Sequence, residues 1–492
     1  MLRLTSLVLD TMALFGKKLA EAKIWLRLKM EVLQRTANRG SVSTGFDVAN
    51  SVKFDKGNDT TTVEFFERNV SSAGSRTIGT FSAWIKKTDV TTAQYLFTFG
   101  NVDNDDGRTF ARFQTDGTLR VAGGSTTWRN TNRVFRDASA WYHIVIAFDT
   151  TQSTANNRIK VYVNGVQETS FSTTNNPSED GTLGLNFGKQ AIGYNTIDNN
   201  SGFNGYMCEV VIQDGVASAP TEFGEFDSAS GIWIPKDASG ATMGTNGTYL
   251  KFENASSMGA ATAGNAFTVQ NINQADQSTD TCTNNFCIWN ILWDYASYPT
   301  FSQGATKVRI DDSTDESAKA TIGLTNGKWY WEAKPVGTIG SQFIGIQTDG
   351  DSNIYANANG LSNNYTMAIE PQGRYYSYAG SLSESSAGQF TALSTSDWLG
   401  IALDMDSATQ TIKYYANGSL ILTRNLISEM QGQTVFPFLC NYENRSFDIN
   451  FGGYTINTIS SAANDENGYG TFEYAPPSGY YAICTKNLAE YG

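Results

Sequence analysis

The turn Asn101-Val-Asp103-Asn-Asp105-Asp106-Gly107 concentrates carboxylate and amide oxygens in one short stretch. Calcium takes about six to eight oxygen ligands, which makes Asp103, Asp105 and Asp106 the calcium candidates of this sequence. The same residue types are also the ordinary material of turns, and the spacing is not that of an EF-hand loop. A solvated acidic turn with weak or no calcium dependence is the expectation. Carboxylates could also do hydrolytic work. A retaining glucanase needs two of them about 5 Å apart, which neighbouring inward positions of one strand supply as an E-x-D-x-E or E-x-D-x-x-E run. No such run occurs. Glu222-Phe-Gly-Glu225-Phe-Asp227 comes nearest, with the wrong spacing and in a Gly- and Ser-containing loop.

The single histidine, His143, lies inside an apolar alternating run, so a packed residue is expected there. Triads built on histidine, and histidine-based metal sites, have almost no material. The five cysteines, Cys208, Cys282, Cys287, Cys440 and Cys484, are odd in number and irregularly spaced, which is not a disulfide framework. Cys282 and Cys287 have no histidine nearby to complete a zinc site. These residues imply no enzyme and no cofactor. Trp128, Tyr375 and Tyr376 offer stacking faces for sugar rings, although aromatics at period two more often belong to a sheet core.

The elements that would position these groups announce themselves by repetition. Trp141 opens WYHIVIAFD, a polar loop, then RIKVYVNG ending at Gly165. Trp398 opens WLGIALD, a shorter loop, then TIKYYANG ending at Gly418. Alternation is the strand period, and Asn-Gly is the strongest short hairpin signal, with positive φ expected at both turn residues. Two copies imply two autonomous β-sandwiches. Gly 46, Tyr 23 and Phe 28 against 17% charged residues suit such an all-β chain. Residues 41–254 read as the first sandwich, 255–300 as a connector, 301–475 as the second sandwich and 476–492 as a C-terminal segment.

Residues 1–40 differ in kind. Leu4, Val8, Met12, Phe15, Leu19, Ala22, Leu26, Met30 and Leu33 form a stripe at helical spacing, ended by Asn38-Arg39-Gly40. A long N-terminal amphipathic helix is expected, serving as an anchor or oligomerisation peg. It is too charged to span a bilayer, and no signal peptide is evident. The net charge of −13 divides into +5 on residues 1–40 and −18 on the rest. An acidic body argues against nucleic acid as a partner.

The first hairpin, with FSAWIK at Phe81–Lys86 and GYMCEVVIQDGV at Gly205–Val216, resembles a laminin-G/concanavalin-A-like jelly roll. GKWYWEAK at Gly327–Lys334, GIALDMDSATQTIKYYANG at Gly400–Gly418, FPFL at Phe436–Leu439 and FDINFG at Phe447–Gly452 are similar to a SPRY domain. This order, with WIPKD, TNNFC and the closing PPSGYYAICTKNL, resembles structural proteins of tailed bacteriophages. The resemblance implies a virion fibre, spike or other appendage, assembled in the host cytoplasm and commonly a homotrimer. Other virion proteins would dock through residues 1–37, and the sandwiches would bind a host-surface glycan or protein. A capsid or tail cement protein with only virion contacts is the alternative, and a polysaccharide-degrading jelly roll a second.

Overall fold

The computed structural model describes residues 45–57, 62–72, 74–100, 107–195, 201–292, 300–309, 315–340, 342–349, 365–379, 381–442 and 445–492. The stripe expected to form an anchoring helix (Leu4, Val8, Met12, Phe15, Leu19, Leu26, Met30, Leu33), the calcium candidates Asp103, Asp105 and Asp106, and Trp293 lie outside the described residues. Among the described residues the only α-helix is the short Thr485–Tyr491, and none is long and apolar enough to cross a membrane.

The first sandwich stacks two antiparallel sheets. One runs Val166–Gln167, Ile159–Val163, Trp141–Asp149, Ile78–Lys87, Gly205–Asp214, Ser51–Phe54, Gln277–Ser278, with Thr248–Leu250 also pairing Gly205–Asp214. The other runs from Phe171–Thr174 through Thr126–Val134, Thr118–Gly123, Arg108–Phe113, Gln94–Gly100, Lys189–Ile192 and Phe65–Asn69 to Thr268–Gln270. Phe81, Ile85, Leu96, Phe97, Ile144, Ile146 and Phe148 fill the space between them. The second sandwich repeats the plan. Lys328–Val336, Leu399–Asp404 and Thr411–Ala416 are adjacent in one sheet, and Gln342–Thr348 and Val435–Tyr442 are adjacent in the other. Its core includes Trp289, Trp329, Trp331, Ile344, Ile401 and Leu439.

Both repeated hairpins form with the expected local chemistry. Asn164 and Gly165 have φ of 48° and 77°, and Asn417 and Gly418 have 48° and 78°, as a two-residue I′ turn requires. Asp149 and Asp404 end their strands by accepting backbone N–H groups two residues on, from Thr151 and Asp406.

Residues 255–300 correct the expectation of a connector. Ala263–Gly264, Thr268–Gln270 and Gln277–Ser278 are strands of the first sandwich, whereas Trp289 bridges Ala320 in the second. The C-terminal segment is likewise part of a sheet, Tyr481–Ala482 pairing in parallel with Trp329 and Tyr330.

The two sandwiches also share a buried polar interface. Lys53 and Lys86 stand on the outer face of the first sheet, where the alternation would leave them in water. The second sandwich covers them instead. Lys53 Nζ bonds to Glu64 at 2.8 Å, Asp276 at 2.9 Å and Gln303 at 2.9 Å. Lys86 Nζ donates to Asp280 and Asn285, each at 2.7 Å, and to the Phe286 carbonyl at 3.1 Å. Buried ammonium groups are tolerated only when paired and hydrogen-bonded in this way. The Tyr206 hydroxyl donates to the Gly304 carbonyl at 2.9 Å, and a Cβ at Gly304 would lie 2.0 Å from that hydroxyl. Glycine is required at this approach.

Candidate functional site: an aromatic cleft beside the interface

The outer face of the first sheet builds the site. Inward positions Phe81, Ala83 and Ile85 feed the core, so Ser82, Trp84 and Lys86 face outward. Across the ladder Trp84 pairs His143, and Lys86 pairs Trp141. The hairpin of Gly224–Phe226 with Trp233–Pro235 folds over this face. Its Trp233 forms the third layer of a stack: His143 lies 4.7 Å from Trp84 at 17° and 5.9 Å from Trp233 at 19°, centroid to centroid.

The stack fixes the histidine. Trp233 Nε1 donates to His143 Nδ1 at 2.9 Å, which leaves the ring's Nε2–H to donate to Ser82 Oγ at 2.9 Å. Burial pushes the imidazole down to about 3, so it is neutral at physiological pH. His143 is a packed positioning element with no role open to it as a base.

A cleft of about 530 Å³ opens next to the stack. That is within the usual range for a small-ligand site, roughly 300–1,000 Å³. Phe46, Trp84, Trp141, Phe226 and Trp233 give it an aromatic side; Asp47, Asp137, Asn164, Asn285 and Lys486 give it polar groups. Thr321, Ile322 and Gly323 of the second sandwich and Thr485 and Leu488 of the C-terminal helix complete the lining. Phe226 is 53% exposed and Trp141 half-buried, so part of each ring is reachable from the cleft, whereas Trp84 and Trp233 are largely covered. Trp141 is held by its Nε1–H, which donates to Asp280 at 3.2 Å.

The charge of the cleft is nearly balanced. Lys486 pairs with Asp47 at 2.7 Å, and Asp47 also accepts the Thr283 hydroxyl at 2.7 Å. Asp137 is the one lining carboxylate without a cationic partner in the cleft itself. The Asn285 amide donates to the Ser139 carbonyl at 2.6 Å and its carbonyl takes the Lys86 ammonium, so this side chain is fixed in orientation. Such a surface suits a neutral, hydroxyl-rich ligand with an apolar face.

The aromatic residues picked from sequence fall elsewhere. Trp128 is in the first core at 7% exposure, with a Cβ at Gly123 only 2.1 Å from its ring, although one edge reaches a hollow of about 240 Å³ near Pro177 and Gly184. Tyr376 is buried at 3% exposure, its hydroxyl 3.1 Å from a carboxylate oxygen of Glu370 and of Glu384, with one proton to donate between them. Tyr375 is half-buried beneath the Arg424 guanidinium, 5.0 Å from its centroid. None of the three lines the aromatic cleft. Glu222 and Glu225 are exposed and Asp227 caps its own turn through Ser230, leaving them unpaired as carboxylates.

Trp84 and Trp141 lie in strand patterns that gave no sign of a cleft, and Phe226 carried no signal. The usable trace was Trp233 in WIPKD, an apolar run too short to be a core strand.

Residues 49–221 match the family model described as the Concanavalin A-like lectin/glucanases superfamily. This range falls within the first sandwich, which is a laminin-G/concanavalin-A-like domain. No curated protein matches the sequence. Among solved structures, domains LG4-5 of the mouse laminin alpha1 chain are 9% identical, covering 89% of this chain and 97% of that chain, with a TM-score of 0.28. The TRIM65 PSpry domain is 11% identical, covering 34% and 89%, with a TM-score of 0.26. Domain 4 of AbnA, an extracellular GH43 arabinanase from Geobacillus stearothermophilus solved with arabinotriose, is 24% identical, covering 31% and 66%, with a TM-score of 0.23.

Proposed function

We propose that this chain is a non-enzymatic binding protein whose inter-sandwich cleft takes a neutral glycan. The observation that carries the reading is the pairing of the aromatic rings of Trp141 and Phe226 with the fixed Asn285 amide in a cleft that carries little net charge. Sugar rings present an apolar face to an aromatic and hydroxyls to amide groups, and a pocket so built recognises both. The setting we propose is a tailed-phage virion appendage that binds a host surface. The order of its sequence motifs and the apolar stripe of residues 4–33, which would dock into the particle as a homo-oligomer, support that setting.

The test is a screen of the full-length protein on immobilised neutral and acidic oligosaccharides. Binding to a neutral class, lost at least tenfold in Trp141→Ala and in Phe226→Ala while both variants keep the folded circular-dichroism spectrum, is the expected result. Binding that both variants retain removes the cleft from the reading. For the setting, particles complemented with chain lacking residues 1–37 should carry none of it; undiminished incorporation removes the anchor.

A further inference from the structure

Cys208 lies on the outward face of strand Gly205–Asp214, and Cys282 follows the strand Gln277–Ser278 on the segment that runs beneath the cleft. They are 74 positions apart in sequence, yet their sulfurs stand 3.6 Å apart, the Cys208 thiol donating to the Cys282 sulfur. Val48, Trp84 and Trp233 pack around them. A disulfide bond is about 2.05 Å long, so closing the pair asks the sulfurs to approach by about 1.5 Å. The other three cysteines are in different surroundings: Cys287 in the second core, Cys440 and Cys484 in separate clusters.

We propose that Cys208 and Cys282 form a dithiol that a low-molecular-weight disulfide closes into a cross-link, fastening the segment under the aromatic cleft to the first sheet. Access sets the order of events. Cys282 is partly exposed and lines the cleft, whereas Cys208 is buried. The Cys282 thiolate attacks one sulfur of oxidised glutathione, the glutathione S–S bond breaks, and one glutathione thiolate leaves. The Cys208 thiolate then attacks Cys282 Sγ, breaking the mixed disulfide and releasing the second glutathione. Two protein thiols lose two electrons, glutathione disulfide gains them, and the two thiol protons pass to the departing thiolates. The apolar surroundings of its sulfur and the Cys208 thiol hold the Cys282 thiol well above its ordinary range, so the exchange accelerates with rising pH.

The consequence lies in the cleft. The segment between Ser278 and Phe286 carries Asp280, which holds Trp141 and Lys86, and Asn285, which lines the cleft. A cross-link at Cys282 makes the placement of these groups independent of the polar contacts that otherwise hold the segment.

The experiment is incubation of the reduced full-length protein with oxidised glutathione at pH 8.5. Alkylation in denaturant and digestion with trypsin and chymotrypsin follow; chymotrypsin cuts after Phe286 and separates Cys282 from Cys287. The expected product is one cross-linked pair containing Cys208 and Cys282, with the other three cysteines alkylated. The melting temperature should rise by several degrees, fall back on adding a phosphine reductant, and fail to rise in Cys208→Ala and Cys282→Ser. Full alkylation of both cysteines, a stable glutathione adduct on Cys282 alone, or a cross-link to a different cysteine overturns the proposal. None of these readouts depends on a glycan being bound.

Discussion

The Lys86 ammonium and the Asp280 carboxylate meet at 2.7 Å with side-chain exposures of 0% and 1%, at the seam where the two sandwiches join. Asp280 also accepts from the Phe286 backbone and from the Trp141 indole, so one carboxylate links the first sheet, the segment under the cleft and the cleft's main aromatic face. Removing one partner of a buried pair strands the other charge, at a cost of about 3–5 kcal/mol. Asp280→Ala should lose that much in denaturant unfolding. Lys86→Met combined with Asp280→Ala should recover part of it, because no orphaned charge remains. A loss under 1 kcal/mol for Asp280→Ala would show that water reaches Lys86 in its place.

A second prediction concerns pH. Strand Gly205–Asp214 bulges between Cys208 and Val211, and Glu209 there takes a φ of 51°. The bulge buries Glu209 at 6% exposure, where it accepts the Tyr249 hydroxyl. Burial pushes its carboxyl from 4.5 up to about 7. The folded protein therefore keeps a proton that the unfolded chain has released, and stability falls as pH rises from about 4.5 to about 7, with no further change above. At about 1.4 kcal/mol per unit the ceiling on this effect is roughly 3 kcal/mol. Glu209→Gln, neutral at every pH, should make the decline across this window shallower by that share, the rest coming from Glu64 and Glu332, which burial also raises to about 7. Wild-type and variant curves that run parallel from pH 4.5 to 7 would assign the decline to other groups.

What the sequence made legible was local. Asn164-Gly165 and Asn417-Gly418 carry their turn type in their residue types, and Asp149 and Asp404 carry their strand ends. Alternation marked FSAWIK and WYHIVIAFD as strands, and Phe81, Ile85, Ile144 and Ile146 of these strands do face a core, but alternation assigns only two faces. It does not say whether the outward face meets water or another layer. That is why the packing of His143, expected from its apolar run and observed, comes from Trp84 and Trp233 on the outward face rather than from the core between the sheets, and why Lys53 and Lys86 gave no sign of burial. The cleft was illegible for a related reason. Its lining comes from segments as far apart as Phe46, Trp141, Phe226, Asn285 and Lys486, joined only by the docking of the second sandwich.

The same docking bears on the final prediction, which concerns the two hairpin turns. An aromatic ring lies against each: a Cβ at Gly165 would sit 2.3 Å from Trp233, and one at Gly418 would sit 2.7 Å from Tyr474. Each glycine also has a φ near +78°, at 77° and 78°, where a side chain costs about 1–2 kcal/mol before any clash. Gly165→Val and Gly418→Val should each destabilise the protein by roughly 2 kcal/mol or more, because Val adds β-branching to both penalties. Two free-standing sandwiches would give two thermal transitions, with each variant shifting only its own. The second sandwich covers Lys53 and Lys86 and supplies Gln303 to Lys53, which argues instead for one transition that both variants lower, since unfolding the second sandwich would bare the Lys53–Asp276 and Lys86–Asp280 pairs. Differential scanning calorimetry of the two variants decides between these. Separate shifts of two resolved peaks would mean that the interface is too weak to couple the sandwiches, and would return them to the autonomy that the repeated sequence suggests.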